Sequence, residues 1–377
     1  MIRFSDEQEM LRSTVASFAS KRLAPVASEI DQTEGFNETA LREMASLGLL
    51  GITANEKWGG SGLGCVEATL AMELIGEVCA STALSYLAHS ILCVHNLQNN
   101  ASEEQLKRYL PKLIDGTHIG AMGMTEPQSG SDALSLQTKA VKKGTKYILN
   151  GSKTFITNGP VADVFVVYAR TGTAKKELST FIVEKGFPGF KVGKKLHKFG
   201  MRGSPTSELI FENCEVPIEN LVGKENDTVH HMMKNLNIER ITISGISIGL
   251  ASASLKYSLG YARERSQFGQ PIGAFQAVKH QLANMASDLE PSLSLCWYAA
   301  HAFDRIQHES SYHAHIAKAH TSDLFDRLTR DATELHGGIG FTWEFDLHLW
   351  FRRAIFDRAY LGDATYNRRR AATLAGW

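Results

Sequence analysis

The 377-residue chain sets 40 Lys and Arg against 40 Asp and Glu and is 43% hydrophobic. That length allows two or three compact domains, each with its own core. The even charge supplies no general attraction to nucleic acid or an anionic membrane, so neither is expected as a partner.

Ser5-Asp6-Glu7-Gln8 is a capping-box pattern rather than the basic-then-apolar start of a secretory signal. The apolar stretches are interrupted by polar residues and read as too short for a membrane span, which makes a cytoplasmic protein the default expectation. Cys65, Cys79, Cys93, Cys214 and Cys296 form no C-x-x-C pair. No disulfide framework and no metal site is therefore expected.

From Ser5 to about Gly120 apolar residues recur at helical spacing, as in Met10, Val15 and Phe18 and again in Leu41, Met44 and Leu47. Residues 1–120 are read as a helical domain. Within it, Gly59-Gly60-Ser61-Gly62-Leu63-Gly64 superficially suggests a dinucleotide loop, but its spacing is not G-x-G-x-x-G and no βαβ unit surrounds it. A surface turn is the better reading. The chain also has no G-x-x-x-x-G-K-[ST] loop and no H-E-x-x-H.

Residues 121–223 change to short β-rich runs, among them Lys146–Leu149, Asp163–Tyr168 and Glu208–Phe211, with turns expected at Asn150-Gly151 and Asn158-Gly159-Pro160. A small β-barrel or sandwich follows. Residues 224–377 return to helical periodicity over about Val229–Arg265, Phe275–Gln307 and His313–His336, lengths that suit a bundle.

The β region opens on Met124-Thr125-Glu126-Pro127-Gln128-Ser129-Gly130-Ser131-Asp132 and continues with Phe155-Ile156-Thr157-Asn158-Gly159. Met201-Arg202-Gly203-Ser204-Pro205-Thr206, Arg265-Ser266-Gln267-Phe268-Gly269-Gln270 and His336-Gly337-Gly338-Ile339-Gly340-Phe341-Thr342-Trp343-Glu344 follow. In this order, over nearly the whole chain, these segments resemble the acyl-CoA dehydrogenase family. The resemblance implies an α+β fold with an N-terminal helical domain, a middle β-barrel domain and a C-terminal four-helix bundle. It also implies bound FAD, α,β-dehydrogenation of an acyl-CoA thioester, a homotetramer, and electron-transfer flavoprotein as electron acceptor.

Hydroxyls and backbone N–H groups on a Gly-containing turn suit the polar edge of a flavin. By resemblance, Thr125 and Thr157 would make such contacts, Thr157 near N5, while Phe155 would lie against the ring. Met122, Met124 and Ile156 join them as cofactor-binding candidates, and Ser131 would touch both FAD and acyl-CoA. Arg265 and Gly337-Gly338 would meet the pyrophosphate of a neighbouring subunit's FAD, where fixed positive charge and close backbone approach are needed. Gln276 would lie near the adenine end, and Phe268 and Glu334 belong to the same set. Glu334 departs from a frequent glutamine, and its charge would be unfavourable there unless turned away or protonated.

Dehydrogenation needs a carboxylate to take the α-proton. Many family members place a glutamate just before a Gly-Thr in a C-terminal loop, but the aligned residue is Leu361, in Ala359-Tyr360-Leu361-Gly362-Asp363-Ala364-Thr365. Isovaleryl-CoA and long-chain members supply the base from the first helix of the last domain. Leu236-Asn237-Ile238-Glu239-Arg240 resembles the isovaleryl pattern, as do Leu87-Ala88-His89-Ser90 and Phe155–Pro160. Glu239 is therefore the candidate base. Leu361 would offer its backbone N–H to the thioester carbonyl, Arg240 would buttress the site electrostatically, and Asn237, Tyr360 and Gly362 would border the substrate. Tyr360 stands where isovaleryl members tend to have a small residue, which would leave less room for a branched chain. Asp363 is a weaker rival base and is expected, with Thr365, to contact FAD. Three other readings stay open: a dehydrogenase of carrier-protein-tethered thioesters, a non-catalytic subunit of a heteromeric dehydrogenase, and an oxidase.

Overall fold

A computed structural model describes residues 4–377. Its first helix, α1 (Asp6–Phe18), starts where the capping box places it: Ser5 Oγ accepts from the Gln8 N–H at 3.2 Å and Gln8 Oε1 accepts from the Ser5 N–H at 3.0 Å. Met10, however, points outward. Helices α2 (Ala27–Thr33), α3 (Glu38–Ser46), α4 (Cys65–Leu87), α5 (Asn96–Asn100) and α6 (Glu103–Ile114) complete the first helical layer.

One expectation is corrected here. Helix α4 runs on through a π-helical segment, Ala88–His95, into α5, and Cys65–Asn100 is long and apolar enough to match a membrane span, with a mean hydropathy of 1.3. In this fold 89% of that apolar window is buried against protein. A helix apolar all round is what the centre of a three-layer molecule requires. The five cysteines are all free and buried. Gly59–Gly64 is a turn that leads into α4, and the first N–H groups of that helix, from Cys65 and Val66, donate to the Asp304 carboxylate at 2.9 and 3.1 Å. A side chain thus fills the place a bound phosphate would take.

The middle of the chain holds β1 (Gly120–Gly123), β2 (Lys139–Lys143), β3 (Lys146–Thr157), β4 (Val164–Arg170), β5 (Leu178–Glu184), β6 (Phe190–Val192), β7 (Thr206–Pro217) and β8 (Leu221–Val222). They form one sheet in the order β6-β7-β3-β2-β4-β5-β8, with β1 alongside β4. Phe165 of β4 and Phe190 of β6 touch at 5.0 Å between ring centroids although three strands separate them in that order, so the sheet curls around its own core. Asn150-Gly151 is not a turn. It lies inside β3 as a bulge opposite β7, where Gly151 (φ 144°) passes so close to Thr138 that a Cβ would sit 2.7 Å from its Cα. Asn158-Gly159-Pro160 does turn the chain.

The last layer has three long helices, α7 (Val229–Glu264), α8 (Gln276–Arg305) and α9 (Ser310–His336), and two short ones, α10 (Leu347–Ala359) and α11 (Ala364–Leu374). Buried Lys318 on α9 donates to the Asp357 carbonyl on α10 at 2.7 Å, and the Asp357 carboxylate accepts from Ser247 on α7 at 2.7 Å. This network fixes where α10 ends, and so where the loop after it lies.

His89 joins the helical layer to the sheet. Its Nδ1 accepts from the Gly120 N–H at 3.0 Å and its Nε2 donates to the Leu113 carbonyl at 3.0 Å, a neutral ring used at both ends. Burial pushes its pKa down to about 4, against the Leu113 hydrogen bond. The unfolded chain therefore binds the proton first as pH falls from the ordinary histidine value of about 6.5. Stability contributed by the neutral ring is full above that pH and drains towards pH 4, by about 3 kcal/mol in all. Urea midpoints measured across this range should fall less steeply for His89→Leu than for the native protein. Identical slopes would remove His89 from the account.

Candidate active site

Glu239 sits in the first third of α7 and is 1% exposed. It is not a surface carboxylate paired with its neighbouring arginine. Its Oε1 accepts a hydrogen bond from the Tyr360 hydroxyl, and its Oε2 is buried without a partner. Burial pushes the carboxyl up to about 7, against the Tyr360 hydrogen bond and the charge of Arg240, both of which favour the anion. Arg240 turns back along the helix, with Nη1 on the Leu236 carbonyl at 3.2 Å and on Asn237 Oδ1 at 3.3 Å.

The C-terminal loop reaches this carboxylate because its backbone is held in an uncommon shape. Leu361 and Gly362 both have positive φ, 59° and 89°. At Gly362 only glycine fits, since a Cβ would meet the Tyr366 ring at 2.3 Å. Buried Asn367 donates to the carbonyls of Gly362 at 2.8 Å and Asp363 at 3.0 Å, and its own oxygen accepts from His315 Nδ1 at 2.6 Å. Asp363 is the N-cap of α11, its carboxylate taken by the Tyr366 N–H at 2.7 Å. The weaker rival base, Asp363, thus has a structural task as a helix cap. Thr365 is exposed on the first turn of α11.

Met122, Met124 and Leu361 pack with Leu236, Met232 and Tyr168 in one apolar cluster, which brings the opening strand of the sheet, α7 and the C-terminal loop together. Thr125 lies just beyond, its carbonyl accepting from the Thr154 N–H at 2.8 Å. Beneath it Lys153 Nζ meets Glu126 Oε1 at 2.7 Å, both side chains fully buried. Burial works to raise the Glu126 pKa, but the Lys153 charge and hydrogen bonds from Lys153, Thr138 and Gln137 outweigh it and hold the carboxyl below its ordinary value. Positive φ at Phe155 (58°) and Asn158 (64°) brackets Ile156 and Thr157, leaving Phe155 67% exposed and Thr157 half-buried at the strand end. Asn158 Nδ2 ties that end to the Ser85 and Gly120 carbonyls at 2.9 and 3.2 Å. Ser131 is exposed on the turn that precedes β2.

The second set of candidates gathers elsewhere. Arg265 ends α7, Phe268 lies in the hairpin that follows, Gln276 begins α8, and Glu334, Gly337 and Gly338 end α9. Tyr261 stacks on His336 at 4.2 Å to hold these ends together. Glu334 is exposed, and a Cβ at Gly337 or Gly338 would meet nothing within 4 Å, so this backbone faces open surface. Phe268 is 94% and Phe341 85% exposed.

The residues present fit a flavin. Thr125 and Thr157 are half-buried hydroxyl-bearing residues on neighbouring stretches joined by the Thr154–Thr125 backbone bond, Phe155 is exposed between them, and the glycine pair and Arg265 offer the open backbone and charge a pyrophosphate needs. Sequence reasoning missed the Glu126–Lys153 pair, the Tyr360–Glu239 bond and the Asn367–His315 support. An Asp three residues before Tyr366, at the start of a helical pattern, was the one signal available for the cap at Asp363.

Family models match all three parts of the chain: the acyl-CoA dehydrogenase N-terminal domain over residues 5–117, the middle domain over 121–214 and the C-terminal domain over 229–374. Mitochondrial isovaleryl-CoA dehydrogenase of Pongo abelii is 43% identical over 356 residues, 93% of this chain and 84% of that protein. Among solved structures, butyryl-CoA dehydrogenase from Megasphaera elsdenii superposes with a TM-score of 0.96 at 33% identity, covering 100% of both chains. A prolyl acyl carrier protein oxidase gives 0.94 at 33% identity, again covering 100% of both. On the fold, the placement of these residues and this similarity, the chain belongs to the acyl-CoA dehydrogenase family and is an oxidoreductase.

Proposed function

We propose that the protein dehydrogenates a short or branched acyl-CoA thioester with FAD, using Glu239 to take the α-proton. The observation that carries this reading is the buried Glu239 carboxylate with one free oxygen beside the Leu361 loop. The α-proton of a thioester is weakly acidic, so a base whose proton affinity burial has raised to near neutrality suits the task. Leu361 would donate its N–H to the thioester carbonyl as negative charge grows on that oxygen. Met122, Met124 and Leu236 would exclude water around the proton in transit. Bound FAD would supply the hydride acceptor, and electron-transfer flavoprotein would receive the electrons in turn.

Glu239 and Arg265 lie 26 residues apart along α7 and its C-cap, roughly 39 Å by the helical rise. Two site halves that far apart are best used by different copies, so we assign Arg265, Gln276 and Gly337-Gly338 to the FAD of a neighbouring subunit in a homo-oligomer, a tetramer by family resemblance. The exposed Phe268 and Phe341 beside them suit such an interface. Similarity to a carrier-protein oxidase favours one alternative, a tethered acyl thioester as substrate. Anaerobic titration of the FAD-loaded protein with a panel of CoA and carrier-protein thioesters tests both. Bleaching of the flavin by a short or branched acyl-CoA is expected. Bleaching by carrier thioesters alone would move the substrate to that class, and none with any thioester would end the proposal.

A further inference from the structure

Glu239 differs from an ordinary buried base in the way its two oxygens are used. Oε1 is taken by the Tyr360 hydroxyl, 121 residues along the chain, and Oε2 has no partner. Tyr360 is in turn fixed: its ring stacks on Phe356 at 5.0 Å, its N–H donates to the Phe356 carbonyl at 3.1 Å, and the next residue is the Leu361 of the carbonyl-binding loop. One rigid segment therefore carries both the phenol that holds the carboxylate and the N–H offered to the thioester.

We propose that Tyr360 is a positioning residue for the base: its hydroxyl holds Glu239 Oε1, leaves Oε2 alone to meet the acyl α-proton, and stabilises the carboxylate as an anion ready to accept it. This rests on Glu239 being the base.

None of the other described groups around Glu239 donates to its carboxylate, although Arg240 Nε is itself buried without a partner. Arg240 faces the Leu236 carbonyl and Asn237 on its own helix, and Tyr366 and Arg370 of α11 and His315 of α9 lie close enough to feel its charge. His315 is held by Asn367, Lys318 by Asp357, and the Tyr168 hydroxyl of β4 by Asn96. From the α4 side, His89 bonds Gly120 and Leu113, His95 bonds Thr53, and Glu73 bonds Trp297. Among the described residues only Tyr360 donates a hydrogen bond to the Glu239 carboxylate. A hydrogen bond to the charged form of a carboxyl lowers its pKa, and losing one made to a charged group is expected to raise it by roughly one unit.

The test is Tyr360→Phe, which keeps the ring and its stacking. Two readouts are followed against pH: the rate of flavin reduction by a good acyl-CoA, and the infrared band of the protonated carboxyl, assigned by its loss in Glu239→Gln. Both midpoints should move up by about one pH unit. Below the midpoints reduction should slow by roughly tenfold beyond any loss seen well above them, where what remains is the cost of a carboxylate no longer held at Oε1. Should Tyr360→Phe not fold, 3-fluorotyrosine at position 360, a stronger donor, should move both midpoints down. Unmoved midpoints, or a loss equal at every pH, overturn the proposal. If Glu239→Gln blocks reduction while Tyr360→Phe leaves the midpoints in place, only the role of Tyr360 fails. If Glu239→Gln reduces its flavin at the native rate, the base assignment fails, and the infrared midpoint still judges the Tyr360 contact.

Discussion

Glu239→Gln is expected to keep its fold and its FAD while flavin reduction by acyl-CoA slows by about 10²- to 10⁴-fold, the usual contribution of a general base. The amide has nearly the volume of the carboxylate, and its carbonyl oxygen can still accept from Tyr360. What it lacks is an atom that can accept the α-proton at Oε2, the unpartnered position in the native protein. Asp363→Asn is the matched control. Asn caps a helix about as well as Asp, so the Tyr366 N–H keeps its partner and the loop keeps its shape. Stopped-flow reduction under anaerobic, FAD-saturated conditions isolates this step from electron transfer onwards. A native rate in Glu239→Gln combined with a large loss in Asp363→Asn would place the base in the C-terminal loop.

How far the sequence could be read depended on how local each determinant is. Helix α1 was visible because its cap and its apolar stripe lie within a few residues of one another, and α7, α8 and α9 because each is long and periodic. The full length of α4 and its continuation was not, since a helix buried all round has no apolar stripe to count. Asn150-Gly151 carries the same signal for a turn and for a bulge, and the choice was made by Thr138 packing against Gly151 from another strand. Glu239 was picked out because its immediate neighbours, Leu236 to Arg240, resemble the isovaleryl pattern. Its partner Tyr360 could be named as a nearby residue but not as its hydrogen-bond donor, because that contact exists only once α10 has docked on α7 and α9. The support of the loop by Asn367 and His315 escaped for the same reason.

Lys153→Met should cost about 3–5 kcal/mol of folding stability, the loss expected when one member of a buried ion pair is removed and the other charge is stranded. Glu126 would keep the N–H donors of Gln137 at 2.6 Å and Thr138 at 3.0 Å but lose the cation that offsets its burial. Burial has already drawn the Lys153 pKa down to about 8, with Glu126 alone opposing it, which shows how closely the two charges depend on each other. Lys153 also donates to the Met124 carbonyl at 3.2 Å, so the stretch that presents Met124 and Thr125 should loosen and FAD should be retained less well. Glu126→Gln with Lys153→Met removes both charges together. It should be more stable than Lys153→Met alone, because no unpaired ion is left in the core. Urea midpoints of the single and double variants, with FAD content measured alongside, decide the matter. Equal midpoints for Lys153→Met and the double variant would mean that the stranded Glu126 charge carries no penalty and that the pair does not underpin this edge of the site.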